Sequence, residues 1–471
     1  DAICLALYNE TPRMDHAENE KYKDLSQTFS AKKEDVAIND SRQLMRRNTS
    51  EAWTELEFTG SNEMPYTARW YVARAHRKIS GAVQDVRWTL ENNKSGAQLN
   101  KKNEFHFQPD WYRGIEYPKE QERGYDFNED LYVPGYFEVD IKKGESIVFS
   151  AGTSEVTPRR LKQTFEAEVA DRTPRDSFYH CLKNSAHQFH NQQDGEHYIL
   201  AGYPWFKCRA RDMFISLPGL TLALDEVDQF EDVMKTAEKA IRSFINDEPA
   251  GYKIYEMEHP DVLLWAVWAL QQYAKETSRE QCRQKYGELL EDIMEFIRQR
   301  KHENLFLHEN GLLYANGTDK AITWMNSTVN GHPVIPRTGY IVEFNALWYN
   351  ALRFIADLVR EGGNVLLADA LDAQAEVTGK SFIEVFRNEY GYLLDYVDGN
   401  MMDWSVRPNM IFAVAFDYSP LDRAQKKQVL DIATKELLTP KGLRTLSPKS
   451  GGYNPNYVGP QIQRDYAYHQ G

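Results

Sequence analysis

The chain has 471 residues, 42% of them hydrophobic and 27% charged, and a formal net charge of −14. That length exceeds one ordinary core, so two or more domains are expected. The negative balance argues against nucleic acid and anionic membranes as partners, because phosphate is repelled; a neutral ligand is indifferent to it.

Aromatic residues reach 13%, with 27 Tyr and 10 Trp, a content shared by carbohydrate sites and large cores. Cys4, Cys181, Cys208 and Cys282 lie far apart with no CxxC pair, which implies neither a zinc site nor a disulfide framework. Free thiols fit a reducing, cytoplasmic compartment. No apolar run approaches a membrane span and no secretory signal is read; the chain opens on Asp1 rather than Met, so a trimmed start stays open. No His or carboxylate cluster has ligand spacing, and no Gly-rich loop cradles phosphate, so no metal and no cofactor are expected. Oligomeric state is not legible.

In chain order, residues 10–50 are polar and charged, reading as helix or loop. Alternating runs at 53–58, 68–72 and 82–88 read as strands. Residues 103–156 also read as β structure. Phe105-His106-Phe107 is short and aromatic, and 136–141 and 146–151 alternate on either side of Lys142-Lys143-Gly144-Glu145, which predicts a hairpin. Residues 154–176 read as a linker, partly helical. The expected division is a β-rich domain over 1–165, a linker over 166–176 and a helical domain over 177–471.

Beyond the linker the period becomes helical. Phe214, Leu217, Leu220 and Leu224 share a face, as do Phe230, Val233, Ala237, Ala240, Ile241 and Phe244. Residues 262–270 are apolar nearly all round, so that helix should be buried on every side. Further stripes run over 286–297 and 344–358, and later segments near 370–387, 408–417 and 421–437 complete about ten helices. Many helices of similar length imply a solenoid or a closed toroid.

The loops between these helices carry the chemistry. The first runs from Tyr203-Pro204-Trp205-Phe206 to Arg211-Asp212. Rings stack on apolar sugar faces, and an Arg beside an Asp offers donors and acceptors to vicinal hydroxyls; a loop ion pair is the equal alternative. Glu258-His259-Pro260-Asp261 follows, with Asp261 placed as a helix N-cap. Next come Thr323-Trp324-Met325-Asn326, then Pro336-Arg337-Thr338-Gly339 leading to Glu343. Arg407-Pro408-Asn409 and His469-Gln470 close the set.

Together these five loops resemble the glucosidase domain of glycogen debranching enzymes, the amylo-α-1,6-glucosidase family. The resemblance covers about residues 103–471, and residues 1–98 show none. It implies an N-terminal β-sandwich and an (α/α)6 toroid, mostly α in all, with the toroid continuing past Gly471. It also implies an α-glucan as partner: glycogen, limit dextrin or malto-oligosaccharides. By the likeness, Arg211 and Asp212 hold the hydroxyls of the terminal glucose. Trp205, Phe206 and Trp324 form stacking walls, and Asp261, Arg337, Arg407, Asn409, His469 and Gln470 line the same pocket.

Inverting hydrolysis needs a proton donor and a base for water, roughly 6.5–9.5 Å apart. In the family the acid sits in a Thr-Trp-Met-Asp motif, where this chain has Asn326, and the base is expected beyond residue 471. Three readings of the acid stay open. Glu343 takes the role, unless it is merely a helix N-terminal charge; or Asn326 marks a glucan-binding protein that does not cut; or the acid lies elsewhere. A hydrolase of another α-linkage differs only in subsite shape. A further departure, Lys207-Cys208-Arg209-Ala210 in place of the family's Trp-Gly, bears on subsites beyond the first glucose.

Overall fold

The computed structural model describes residues 96–99, 104–122, 124, 126–138, 148–152, 157–202, 206–249 and 251–471. The chain divides into two compact units, Asp1–Arg175 and Asp176–Gly471.

In the first unit, Glu104–Glu116 and Asn128–Glu138 form a long antiparallel ladder whose register shifts twice, as β-bulges do. Gly96–Leu99 pairs antiparallel with Phe149–Gly152. These partners correct the expected hairpin. Tyr136 faces His106, and Ser150 faces Gln98. Alternation marks a segment as strand without naming its partner. The described ladders remain separate pairs, so no sandwich is assembled among the described residues. The expected turn at 142–145 and the strands expected between 53 and 88 lie outside them. Helices α1 (Pro118–Glu122) and α2 (Leu161–Asp171) complete the unit, and α2 occupies much of the stretch read as linker.

The second unit is helical. It contains α3 (Phe178–His187), α4 (Ala210–Leu220), α5 (Val227–Ile245), α6 (Val262–Glu276), α7 (Arg279–Arg298), α8 (Val342–Glu361), α9 (Val365–Phe386), α10 (Phe412–Ala415), α11 (Arg423–Glu436) and α12 (Gln461–Ala467). Alternate helices make an inner row: α4 packs on α6, α6 on α8 and α8 on α10. Burial follows composition. α6 has 11 buried residues out of 15, whereas α5 buries one stripe, from Phe230 to Ile241, and turns Glu and Lys outward. Inside the row, Gln271 and Asn350 exchange amide hydrogen bonds at 3.3 and 2.7 Å. Among the described residues, no helix is long and apolar enough to cross a membrane.

Helices α7, α9 and α11 carry side-chain N-caps, at Ser278, Asn364 and Asp422. At α11 the Asp422 carboxylate accepts from the Gln425 N–H at 2.8 Å, and the Gln425 side chain accepts from the Asp422 N–H at 2.9 Å, a reciprocal box. Asp422→Ala should cost about 1 kcal/mol of stability in urea unfolding, and a change below about 0.3 kcal/mol would refute a capping role.

A five-stranded antiparallel sheet packs beside α7, α8 and α9, in the order Met401–Met402, Tyr396–Asp398, Gly339–Ile341, Leu313–Ala315, Leu305–Leu307. Strands of two or three residues are too short to show a period. Gly339 has φ +109°, and a Cβ there would lie 2.2 Å from the Val397 carbonyl oxygen, so only glycine fits. The sheet fixes the chain just before Gly339, just after Ile341 and just before Tyr396, which is where the site's charges sit.

Candidate active site

The parallel pair Cys208–Arg209 and Ile254–Tyr255 delivers the chain to Arg211, in the first turn of α4, and to Asp261, just before α6. Arg211 is only 5% exposed. Its Nε donates to Asp261 Oδ2 at 2.7 Å, and its Nη2 donates to Asp261 Oδ1 at 2.8 Å and to the Ile322 carbonyl at 2.9 Å. Nη2 also lies 3.1 Å from His259 Nδ1. Burial alone would lower the guanidinium pKa, but Asp261 outweighs it and holds it above its ordinary value. Asp261 makes no side-chain cap to α6. It stands at the N-cap position, as expected, but its carboxylate accepts from Arg211 and, at 3.1 Å, from Trp265 Nε1. The expected joint grip of Arg211 and Asp212 on sugar hydroxyls is also altered. Two of the three Arg211 nitrogens are taken by protein, and only Nη1 has no hydrogen bond among the described residues.

Asp212 behaves differently. It is exposed on α4, and its carboxylate has no side-chain hydrogen-bond or ion-pair partner among the described residues. Partial desolvation raises its pKa above the usual carboxylate value, against the pull of Arg211 and Arg209.

The segment from Ile322 to Asn326 joins this pair to a second cluster. The Ile322 carbonyl receives Arg211, and two residues later Trp324 Nε1 donates to Asn409 Oδ1 at 2.8 Å. Asn409 Nδ2 donates to Asp395 Oδ1 at 2.7 Å. Arg337, 1% exposed, donates from Nε to Asp395 Oδ2 at 2.8 Å and through both terminal nitrogens to Glu343, the Nη2–Oε2 bond being 2.7 Å. Asp395 and Glu343 together hold the Arg337 guanidinium above its ordinary pKa despite burial. Burial, aided by Asp395, raises Glu343 against the pull of Arg337.

Glu343 therefore does not stand where a replacement acid would. Both its oxygens are occupied by Arg337 and it is 1% exposed, so it has no open path to a sugar oxygen. Its place in the first turn of α8 matches the alternative of a helix N-terminal charge. Asn326 is partly buried and its side chain makes no hydrogen bond among the described residues; the neighbouring Ser327 hydroxyl donates to the Asp465 carbonyl at 3.0 Å.

The last loops meet the same cluster. Arg407 Nη1 donates to the carbonyls of Thr445 and His469 at 3.1 and 3.0 Å, and Nη2 donates to Gln470 Oε1 at 3.2 Å. Desolvation lowers the Arg407 pKa. The His469 ring meets Trp324 edge-on at 5.0 Å. Arg407 Nε and His469 Nε2 are buried without a hydrogen-bond partner among the described residues, a costly state that calls for an explanation.

Burial, with Arg407 adding to it, pushes His469 down to about 4, and burial pushes His302 down to about 4. Both folded values lie below the ordinary 6.5, so the unfolded chain binds more protons between them. Stability should be full above pH 6.5 and fall as pH drops towards 4, each imidazole adding a slope of up to about 1.4 kcal/mol per pH unit. Urea midpoints across that window test this, and a flat profile contradicts it.

The structure thus joins Arg211 with Asp261, and Trp324, Arg337, Glu343, Arg407, Asn409, His469 and Gln470 with one another by way of Asp395, through hydrogen bonds and ring contacts, and the peptide from Ile322 to Trp324 links the two groups. Trp205 lies outside the described residues. Phe206 is 52% exposed, with the Arg209 guanidinium 4.9 Å over its ring, and makes no described contact with Trp324. Sequence reasoning missed Asp395, which links Arg337 to Asn409, although a lone carboxylate in the apolar run Leu393–Val397 was a signal.

Comparisons with known proteins bear on what this site is. A family model described as "Glycogen debranching enzyme N terminal" matches residues 40–148, which corrects the expectation that residues 1–98 carry no resemblance. Among curated proteins, a glycogen debranching enzyme of Saccharomyces cerevisiae is 28% identical, covering 34% of this chain and 13% of that protein. One component of the nuclease SbcCD of Rhodobacter capsulatus is 36% identical over 100 residues, 21% of this chain and 8% of that protein. The chain thus spans about a tenth of the length of these curated relatives. A solved bacterial glucoamylase complexed with acarbose aligns over 77% of this chain and 59% of its own, at 12% identity and a TM-score of 0.43, too loose a likeness to assign the fold. The model described as "Amylo-alpha-1,6-glucosidase" matches residues 182–471, well over half the chain, and with it this protein belongs to the glycogen debranching enzyme family.

Proposed function

We propose that this protein is a glycoside hydrolase of the debranching type, acting on α-1,6-linked glucosyl stubs of glycogen or a limit dextrin and releasing glucose with inversion. In this reading the inner row α4, α6, α8 and α10 is part of an (α/α)6 toroid, the compartment is cytoplasmic, and malto-oligosaccharides are secondary ligands. The observation that carries it is the convergence of loops 211–212, 259–261, 322–326, 337–343, 407–409 and 469–470 into one hydrogen-bonded cluster. Asp212 and Arg211 Nη1 are the polar groups left for sugar hydroxyls, and the Trp324 indole is the apolar wall. Glucose release from a limit dextrin tests the reading. No release, under conditions where a known debranching enzyme works, overturns it.

A second reading is favoured by one specific feature. Asn326 occupies the acid position and Glu343 is closed off by Arg337, the arrangement of an α-glucan-binding protein that does not cut. Asn326→Asp separates the two.

A further inference from the structure

The second unit has a groove whose lining includes neither Arg211 and Asp261 nor the Arg337 cluster. It has a volume of about 750 Å³, within the usual range for sites that bury a ligand. Its walls include Arg209, Ile254 and Tyr255, from the paired segments Cys208–Arg209 and Ile254–Tyr255, and the C-terminal end of α5. Those two segments lead within a few residues to Arg211 and Asp261, so groove and candidate site share their supports. The groove also contains Lys207 and Arg209, from the stretch where this chain departs from the family's Trp-Gly.

Three features define what it takes. First, two exposed rings line it: Phe206 is 52% and Tyr255 43% exposed. Second, its cations are already engaged. Lys207 Nζ sits 4.9 Å over the Tyr255 ring and donates to its hydroxyl at 3.3 Å. Arg209 lies over Phe206 and 3.5 Å from Glu256. These contacts hold the rings in place while leaving much of their surface open. Third, Asp247, Glu248 and Glu258 line the groove and form no ion pair or side-chain hydrogen bond among the described residues. Paired cations beside free carboxylates repel a phosphorylated or otherwise anionic ligand. A neutral polyhydroxylated chain suits them: its hydroxyls donate to carboxylates and its C–H faces lie on rings.

We propose that this groove receives the α-glucan beyond its terminal glucosyl unit, so that longer chains bind better than glucose. The proposal rests on the glucosyl-handling reading of the Arg211–Asp261 site, and its test separates the two. Calorimetric titration of the full chain with glucose and with maltoheptaose gives an affinity ratio. Tyr255→Ala should lower that ratio about tenfold and Asp247→Asn about threefold; both positions are at the surface, and a thermal melt checks that each variant folds. An unchanged ratio in both variants overturns the groove, whether or not the protein releases glucose. So does a wild-type protein that binds maltoheptaose no better than glucose. A ratio that falls in a protein unable to cleave limit dextrin supports the groove and overturns the hydrolase reading alone. Binding of oligolysine that depends on Tyr255, with no binding of maltoheptaose, would assign the groove to a basic segment and overturn the proposal.

Discussion

On the second reading, in which Asn326 leaves the site without its acid, Asn326→Asp is expected to raise glucose release from a limit dextrin by about 10²–10⁴-fold, the usual contribution of a positioned general acid. An amide has no proton to give at the glycosidic oxygen, whereas a carboxyl of raised pKa does. The local surroundings favour the change. Asn326 is partly buried and has no side-chain partner to lose among the described residues, so a carboxyl can enter without stranding a donor. Its segment is pinned on either side, by Thr323 Oγ1 accepting from the Met325 N–H at 3.1 Å and by Ser327 holding the Asp465 carbonyl. The measurement is single-turnover glucose release by wild-type and variant full-length protein. Equal rates would remove residue 326 from the acid role, and release by the wild type at a debranching enzyme's rate would point to a carboxyl elsewhere.

The second large effect is on stability. Arg337→Leu should cost about 3–5 kcal/mol, because it leaves Glu343 and Asp395 buried without their shared cation. Both carboxylates are almost wholly inaccessible, with side chains 2% and 1% exposed, so water offers little compensation. Arg337→Lys should recover little, since one ammonium does not reproduce a fork that serves two carboxylates. Adding Glu343→Met to Arg337→Leu should restore part of the loss by removing one unpaired charge. Guanidinium midpoints give all three values. A single-variant loss below about 1 kcal/mol, or a double variant worse than Arg337→Leu, would refute the ion-pair account.

The helical unit was largely legible because its signal is periodic. The apolar run at 262–270 called for a helix buried on all sides, and α6 is one; the stripes at 230–244 and 286–297 lie on α5 and α7. Segments without a period were read less well. The stretch near 408–417 breaks into a short 3-10 turn and the four-residue α10. The five-stranded sheet was invisible, because its strands are held by long-range pairing and not by local pattern. The loop residues were found through family motifs, and those motifs name residues without their partners. The sequence carried Arg211 and Arg337 but not the fact that Asp261 and Glu343 would occupy them. Nor did those motifs include Asp395, marked only by its place in an apolar run, whose importance comes from neighbours 58 and 14 positions away.

The short peptide between Ile322 and Trp324 is held at one end by Arg211 and at the other by Asn409. A tether anchored at both ends transmits displacement. If Trp324 is the sugar's wall, as proposed, pressure on the indole should pull on the carbonyl gripped by the guanidinium, so that the first half of the helical unit feels what the last loops hold. Double-mutant cycles across that tether, between positions 211 and 409, would register this as a non-additive free energy even though the two side chains do not hydrogen-bond to each other.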